Sequence, residues 1–377
     1  MENAHLKKYY SVHGLITFSI EGNAKAVEHL CRQCEYFISS TPIDNVDIEI
    51  HIGAFKSIVD KKGKYSIVNR KYYVGDNIVF AEDMYKTARW RLQIENLDAE
   101  QTKFYFDGND WTKYILHKSF VEVLLRYKLN QKGYLMVHSS SIAIDGKGVV
   151  FPASPEAGKT STMLNYLELG QDFMSDDFSL VGKGCVYAYP TPITLHSHNL
   201  KRHPFLDKAL DKKDKEQIFL RTLVLKATLG MGDISYKVDI WNKLKDVKVA
   251  DSAPLAQMIL LTKSSGSKVK VKKITRQRLA ERLMIVNYYE TVLFDGYLKA
   301  YYYSNLVDEK TDFWKQMKLN INNILNEDNY YELRLPQVYS SREFGDVADI
   351  IKNITGGGYK SELLYVSSIF REGEWAA

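Results

Sequence analysis

The sequence predicts an α/β protein in three parts: a β-rich α+β N-terminal domain (1–108), an α/β core with a mixed sheet (109–275) and a mostly helical C-terminal region (276–377). Residues 138–181 predict the core, because they read strand, turn, strand, tight loop, helix, strand. Short β-branched and aromatic segments separated by Gly, Asp and Asn predict the first part. Helical apolar spacing that begins at Arg276 predicts the last.

The composition is that of an ordinary globular chain. Hydrophobic residues make up 45% and charged residues 26% of the 377 residues, a length that allows two domains. The net charge of +5 is spread over the chain and therefore indicates no polyanion partner. No run approaches the roughly 18–20 apolar residues that cross a bilayer, and the first residues lack the apolar core of a signal peptide. We expect a cytoplasmic protein with no membrane partner.

Three cysteines exclude a disulfide scaffold and indicate a reducing compartment. Cys31 and Cys34 form a CxxC motif without the second pair or histidine cluster that completes a zinc site. They lie in a stretch with helical apolar spacing, so we interpret them as neighbours on one helix rather than as a redox or metal pair.

A basic tract at 268–273 (KVKVKK) alternates lysine with valine over most of its length. This alternation is typical of an exposed strand with one wet face. Contact with nucleic acid or with a phosphorylated substrate is the less favoured interpretation.

The first part contains clear local patterns. Alternation predicts strands at 15–20 and 46–52, the second with one apolar face and one face of carboxylates and imidazole. Helical spacing predicts a helix at 23–37.

One helix, at 111–130, is predicted to lead into the core and to pack on its sheet. Its apolar residues recur at three- and four-residue steps, which places Trp111 and Tyr114 on the inward face. The same spacing places Glu122 and Arg126 on the outward face.

The core contains ASPEAGKT at 153–160, the spacing of a phosphate-binding loop with alanine in place of the usual first glycine. The loop follows a predicted strand and opens a predicted helix at 159–169, so backbone N–H groups and the helix dipole converge on one spot. Lys159 can reach the β- and γ-phosphates of a nucleotide, and the Thr160 hydroxyl can bind Mg²⁺.

Two adjacent carboxylates, Asp176 and Asp177, follow the helix at the end of the next predicted strand. One can hold the metal while the other accepts a proton from an attacking hydroxyl, and the sequence leaves open which residue has which role. A loop, a lysine, a hydroxyl and two carboxylates in this order are the parts that bind ATP and Mg²⁺. The predicted nucleotide ligands are Ser154, Glu156, Ala157, Gly158, Lys159, Thr160 and Ser161, and the predicted metal ligands are Thr160 and Asp176.

The stretch HSSSIAIDGKGVVFPASPEAGKTSTMLNYLELGQDFMSDDFSLV is similar to the catalytic core of the HPr kinase/phosphorylase family, which shares its nucleotide fold with PEP carboxykinases. In that family a histidine leads a hairpin, a phosphate loop follows, and an Asp-Asp pair comes after the helix. The matching residues are His138, 145–148, 153–160, Asp176 and Asp177, followed by YPTPI at 189–193. The resemblance covers about 134–195, with weaker support to about 275.

The resemblance implies a P-loop kinase that transfers the γ-phosphoryl group of ATP, with Mg²⁺, to a hydroxyl, typically that of serine. It places His138 beside the γ-phosphate and gives Lys159, Asp176 and Asp177 catalytic roles. Relatives of this kind occur with pathways for modified peptides, so the resemblance also implies that a peptide can be the acceptor.

Three loop residues, Ala153, Pro155 and Glu156, depart from the family pattern; the proline removes an amide donor and the glutamate adds an acid near the phosphates. No counterpart of the downstream HPr-binding signature is found, so we expect another acceptor, either a peptide or protein hydroxyl or a small-molecule hydroxyl. The loop departures motivate one further alternative, a nucleotide-binding regulatory protein without turnover. PEP carboxykinase activity is not expected, nucleic acid is a disfavoured partner, and a homo-oligomer is left open.

Three histidines follow the core, at His196, His198 and His203. They could line the acceptor site or assist a metal, although a histidine-rich surface loop is commoner. The cations that could neutralise the transferring phosphate are Lys201, Arg202 and Arg221. Glu332 and Arg334, in the strand-like segment YYELRL, are interpreted as structural.

Overall fold

The computed structural model is an α/β protein with mixed sheets. It describes residues 5–59, 65–227, 236–266, 268–305, 311–326, 330–337, 341–355 and 363–365. Contacts divide the chain into two compact units, and each unit is built from two segments. The first is Met1–Met136 with Asn287–Asn323, and the second is Val137–Val286 with Ile324–Ala377. The C-terminal part of the chain therefore contributes to both units.

The α-helices are, in chain order, α1 (Ala24–Cys31), α2 (Glu122–Gln131), α3 (Lys159–Glu168), α4 (Ser197–Arg202), α5 (Pro204–Ala209), α6 (Lys212–Ala227), α7 (Ile240–Lys243), α8 (Arg276–Tyr289), α9 (Val292–Ser304), α10 (Phe313–Ile324) and α11 (Ser341–Thr355). The strands are β1 (His5–Val12), β2 (Ile16–Asn23), β3 (Ile48–Ile52), β4 (Ser66–Val68), β5 (Tyr72–Gly75), β6 (Ile78–Tyr85), β7 (Ala88–Glu95), β8 (Thr102–Gly108), β9 (Leu135–Ile144), β10 (Lys147–Pro152), β11 (Asp172–Ser175), β12 (Phe178–Gly182), β13 (Cys185–Tyr187), β14 (Ile193–Thr194), β15 (Lys237–Val238), β16 (Ser252–Ser264), β17 (Lys270–Ile274), β18 (Tyr330–Pro336) and β19 (Leu363–Tyr365). In the described ranges, no helix combines the length and the apolar character needed to span a bilayer.

The first unit is organised by an eight-stranded sheet in the order β1-β2-β3-β8-β7-β6-β5-β4. β3 lies between β2 and β8 and runs parallel to both. Its Ile48, Ile50 and Ile52 are buried while Glu49 and His51 are partly exposed, which confirms the two-faced strand predicted at this position. Alternation along a strand sends successive side chains to opposite faces, so this pattern was readable locally.

The helix predicted at 23–37 is shorter in the structure. α1 ends at Cys31, and a separate 3₁₀ turn follows at Glu35–Phe37. Cys34 therefore lies between the two elements, and the interpretation of Cys31 and Cys34 as neighbours on one helix is wrong. Their backbones still meet, because the Cys34 N–H donates to the Cys31 carbonyl at 3.0 Å.

The helix predicted at 111–130 is α-helical only in its second half. A 3₁₀ turn (Asp110–Tyr114) and a π turn (His117–Val121) precede α2. Each turn rotates the chain by a different angle per residue from an α-helix. A projection with 3.6 residues per turn therefore loses its phase along this segment.

The predicted faces of that helix are consequently wrong at four positions. Trp111 is 53% and Tyr114 is 52% exposed, whereas Glu122 and Arg126 are buried. The buried charges have partners in the first unit: a Glu122 carboxylate oxygen lies 3.4 Å from His117 Nδ1, and the Arg126 guanidinium donates to a backbone carbonyl at 3.2 Å.

The second unit contains a nine-stranded sheet in the order β10-β9-β12-β13-β16-β18-β17-β19, with β11 paired to β9. β10 also pairs with β16, so β10, β9, β12, β13 and β16 form a closed ring of strands. β16 and β18 run parallel to each other, and β10 runs parallel to β16. The carboxyl ends of these three strands therefore lie at the same edge of the sheet.

Helix α3 packs against this sheet as its sequence predicts. Met163, Leu164 and Leu167 are buried in one cluster with Phe151 of β10 and Phe173 of β11. Gly170 follows the helix with φ +76°, the left-handed conformation that ends many helices and that glycine adopts without strain.

Candidate functional site

The predicted phosphate loop leaves the carboxyl end of β10 as an extension of the sheet. Ala153 forms an isolated parallel bridge with Leu261, and its N–H donates to the His138 carbonyl at 3.4 Å. The Ala153 side chain is fully buried in the hydrophobic core. A methyl group fits here because the backbone does not take a positive φ at this residue. Replacement of the usual glycine is therefore compatible with the loop.

The left-handed positions of the loop lie further along. Glu156 has φ +61° and Gly158 has φ +102°. Successive residues in alternating conformations turn their N–H groups toward one point and form an anion-binding concavity. Glu156 is exposed, and its left-handed backbone is uncommon for a residue with a side chain. The strain falls at the tip of the loop, where a ligand would contact the backbone.

Lys159 and Thr160, the first residues of α3, face the loop and β11 respectively. The Lys159 ammonium lies 3.4 Å from the Ala153 carbonyl and 3.3 Å from the Ser154 carbonyl, so it folds over the loop. The Thr160 hydroxyl lies 2.9 Å from one Asp176 carboxylate oxygen and 3.2 Å from the other. The structure thus brings together the hydroxyl and the carboxylate that the sequence predicts as metal ligands.

Asp176 is 5% exposed at the end of β11. Burial raises the pKa of its carboxyl to about 6, and the charge of the adjacent Asp177 adds to the rise. The hydrogen bond from Thr160 and the charge of Lys159 oppose this change in pKa. A nearby cation would stabilise the ionised form of Asp176, because it offsets both the burial of the carboxylate and its repulsion by Asp177.

Asp177 differs from its neighbour in exposure and conformation. Its side chain is 50% exposed, and Oδ1 lies 3.8 Å from Nε2 of the buried His138. Its φ is +76°, and its carbonyl accepts a hydrogen bond from the Ser139 N–H at 3.0 Å. The backbone at Asp177 is therefore held in a strained conformation by β9, which directs the two carboxylates differently.

Three buried serines of β9, Ser139, Ser140 and Ser141, make hydrogen bonds to neighbouring elements that no sequence pattern predicted. Ser141 and Ser175 share a hydrogen bond of 2.6 Å, Ser139 donates to Ser179 at 2.8 Å, and Ser140 donates to the Lys159 carbonyl at 3.2 Å. These bonds link β9 to β11, to β12 and to the start of α3. The repeated serines of HSSS were the only sequence signal, since their partners lie 19–40 residues away.

The three histidines after the core do not form one site. His203 is fully buried and contacts Glu168, in the last turn of α3, at 3.2 Å. His196 and His198 stack with ring centroids 5.5 Å apart. Burial, followed by the charges of neighbouring His196, Arg202 and Lys263, lowers the pKa of His198.

The donors at the loop fit one kind of metal. Across the residues that the structure describes, no group of three or more His, Cys, Asp or Glu side chains is arranged to hold an ion. Thr160 and Asp176 instead offer one hydroxyl and one carboxylate. Mg²⁺ usually takes one or two protein ligands and completes its shell with water and substrate phosphates. The residues present therefore fit a magnesium ion that arrives with a nucleotide.

No protein-family model matches this chain, and no curated protein sequence matches it at a significant level.

Proposed function

We propose that this chain is an ATP-dependent phosphotransferase of the HPr-kinase-like type, which moves the γ-phosphoryl group to a hydroxyl, that of a serine in a peptide or protein. One observation carries the proposal. The Thr160 hydroxyl meets the Asp176 carboxylate at the mouth of the loop, and Asp177 lies there beside His138. These are the groups that bind a metal–triphosphate and receive a hydroxyl proton.

The loop and α3 supply the binding half of the reaction. The first amides of α3 have no intrahelical acceptors, and the left-handed residues Glu156 and Gly158 add converging N–H groups. Lys159 exchanges its two carbonyl contacts for oxygens of the β- and γ-phosphates. Mg²⁺, when bound, neutralises the charge that develops on the phosphate oxygens, and Thr160 and Asp176 hold it.

The environments of the two aspartates divide their roles. Asp176 is buried and bonded to Thr160, so it faces the metal. Asp177 is half exposed, so an acceptor hydroxyl can approach it and give up its proton as the new bond to phosphorus forms and the bond from the γ-phosphorus to the departing ADP breaks. His138 lies within ion-pair distance of Asp177 and holds the carboxylate toward the phosphate.

A second candidate is a nucleotide-binding regulatory protein without turnover. Pro155 has no N–H to offer, and Glu156 places an exposed acid in the loop. Both features weaken the binding of a triphosphate. Calorimetry that detects ATP binding, together with no hydrolysis and no transfer to any acceptor, would favour this candidate.

The test is transfer from γ-labelled ATP with Mg²⁺ to serine-containing peptides, to polyols and to water. We expect transfer by the wild type and a loss of about 100-fold or more in Lys159→Ala and Asp177→Asn, because each removes a group that acts on the transition state. Lys147→Ala is the matched control, since Lys147 is exposed at the opposite end of β10. Transfer that survives both site substitutions would show that the assigned site is wrong.

A further inference from the structure

The sheet of the second unit continues past the phosphate loop through three more strands. β10 pairs with β16, β16 with β18, and β18 with β17. Ala153 at the start of the loop bridges Leu261, which pairs with Leu333, and all three side chains are buried in the core. The next residues on β16 and β18 therefore point to the opposite face.

That opposite face carries polar and charged side chains in register with the loop. The next pair along β16 and β18 is Thr262 and Arg334, one residue beyond the bridge of Leu261 to Ala153. Thr262 donates to Glu332 at 3.0 Å, and the Arg334 guanidinium lies 2.9 Å from the same carboxylate. These contacts confirm that Thr262, Glu332 and Arg334 share one face. Glu332 is buried, and it fixes the arginine side chain, which remains 43% exposed.

β17 extends this face with two lysines. Lys270 lies directly opposite Arg334, and Lys272 lies directly opposite Glu332. Residues directly opposite each other in an antiparallel pair point to the same face. Lys272 is exposed and Lys270 is partly exposed. We call Lys270, Lys272 and Arg334 the basic strip: Arg334 and Lys270 lie side by side in one row with Thr262, and Lys272 lies two residues further along β17.

We propose that the basic strip binds acidic side chains of a peptide acceptor, three to four residues from the hydroxyl that is phosphorylated. The inference rests on the proposed function and names its substrate class. Strands are about 4.8 Å apart, which puts Arg334 about 10 Å and Lys270 about 14 Å from the loop. An extended peptide advances about 3.3 Å per residue, so three to four residues span that distance.

The chemistry of the strip favours a peptide over a nucleic acid. Three cations accompany the carboxylate of Glu332, which Arg334 already neutralises in part. Proteins that bind nucleic acid by charge contact on the order of 6–10 phosphates. Carboxylates on a short extended segment match the spacing between Arg334 and Lys270 on the strip.

The experiment measures the binding of fluorescein-labelled 11-residue peptides by fluorescence anisotropy without ATP, at low and at moderate salt. Each peptide has one serine. In the first peptide two glutamates stand three and four residues before the serine, and in the second they stand three and four residues after it. In the third peptide glutamines replace the glutamates. We expect one acidic peptide to bind about 10-fold more tightly than the glutamine peptide, a preference that salt weakens. Lys270→Gln with Lys272→Gln should abolish the preference.

Lys273→Gln is the matched control. Lys273 is also exposed, and it stands next to Lys272, but it pairs with Tyr331 on the other face. It should leave the preference intact, with circular dichroism verifying the fold of each variant. The proposal is overturned if neither acidic peptide binds better than the glutamine peptide, or if Lys273→Gln acts like the double variant. It is also overturned if a single-stranded RNA binds more tightly through the same lysines.

The two proposals fail in different ways. Lysine-dependent binding of an acidic peptide without any phosphate transfer would support the strip and contradict the kinase. Transfer to serine peptides at equal rates with and without the glutamates would support the kinase and overturn the strip.

Discussion

Replacing Asp176 by asparagine should stabilise the protein while it removes the predicted metal ligand. Asp176 is buried, and its pKa is raised from 3.8 to about 6. Since the folded state binds this proton more tightly than the unfolded chain, stability is lost as the pH rises from about 3.8 to about 6. At about 1.4 kcal/mol for each tenfold change in proton affinity, the loss is up to about 3 kcal/mol. Asparagine cannot ionise and avoids this loss, and its carbonyl can still accept the Thr160 hydrogen bond.

The assay is thermal and urea unfolding of wild type and Asp176→Asn from pH 4 to pH 8, without Mg²⁺ or nucleotide. The two proteins should be equally stable near pH 4. Above pH 6 the midpoint temperature of unfolding should be higher in the variant than in the wild type, by up to about 6–12 °C at about 2–4 °C per kcal/mol. Asp172→Asn, on the same strand, should keep the pH profile of the wild type. A variant that is less stable than the wild type at pH 7.5, or a wild-type stability that does not change with pH over this range, would contradict a raised pKa at Asp176.

Two further substitutions test the loop and the buried hydrogen bond between Ser141 and Ser175. Gly158→Ala should cost about 1–3 kcal/mol of unfolding free energy and weaken ATP binding measured by calorimetry, because φ is +102° there. The control is Gly266→Ala, where φ lies outside the left-handed region; it should change neither the unfolding free energy nor ATP binding. A Gly158→Ala variant with unchanged stability and binding would contradict the loop geometry. Ser141→Ala should cost about 1 kcal/mol in urea unfolding, because the buried Ser175 hydroxyl loses its 2.6 Å partner and keeps only a 3.4 Å contact with Ser179. The double variant Ser141→Ala with Ser175→Ala should lose less unfolding free energy than the sum of the losses in the two single variants. A loss equal to that sum would show that the two hydroxyls do not interact.

Local sequence predicted the elements around the loop well. The start of α3 after the glycine, its inward residues Met163 and Leu164, and its end at Gly170 each depend on residues within one or two helical turns. The same was true of β3, whose alternation needs only five residues. The assigned roles of the loop and of the aspartates remain predictions.

Prediction failed where the chain departs from a single period. The 3₁₀ and π turns before α2 changed the rotation per residue, so Glu122 and Arg126 are buried and Trp111 is exposed, against expectation. Burial of the Arg126 charge also needs a partner, and that partner comes from a distant segment, the Asn287 backbone. Nothing within 111–130 encodes that partner.

The order of chemical groups is already present in the amino-acid sequence: a histidine, a loop, a lysine with a hydroxyl, and two carboxylates. The three-dimensional fold placed the Thr160 hydroxyl against Asp176, left Asp177 half exposed, and joined Ser141 of β9 to Ser175 of β11. It also aligned Lys270 with Arg334 across two strands that are far apart in the chain. Spacing along a chain fixes which groups a segment offers, whereas strand register and burial fix which groups meet and at what pKa.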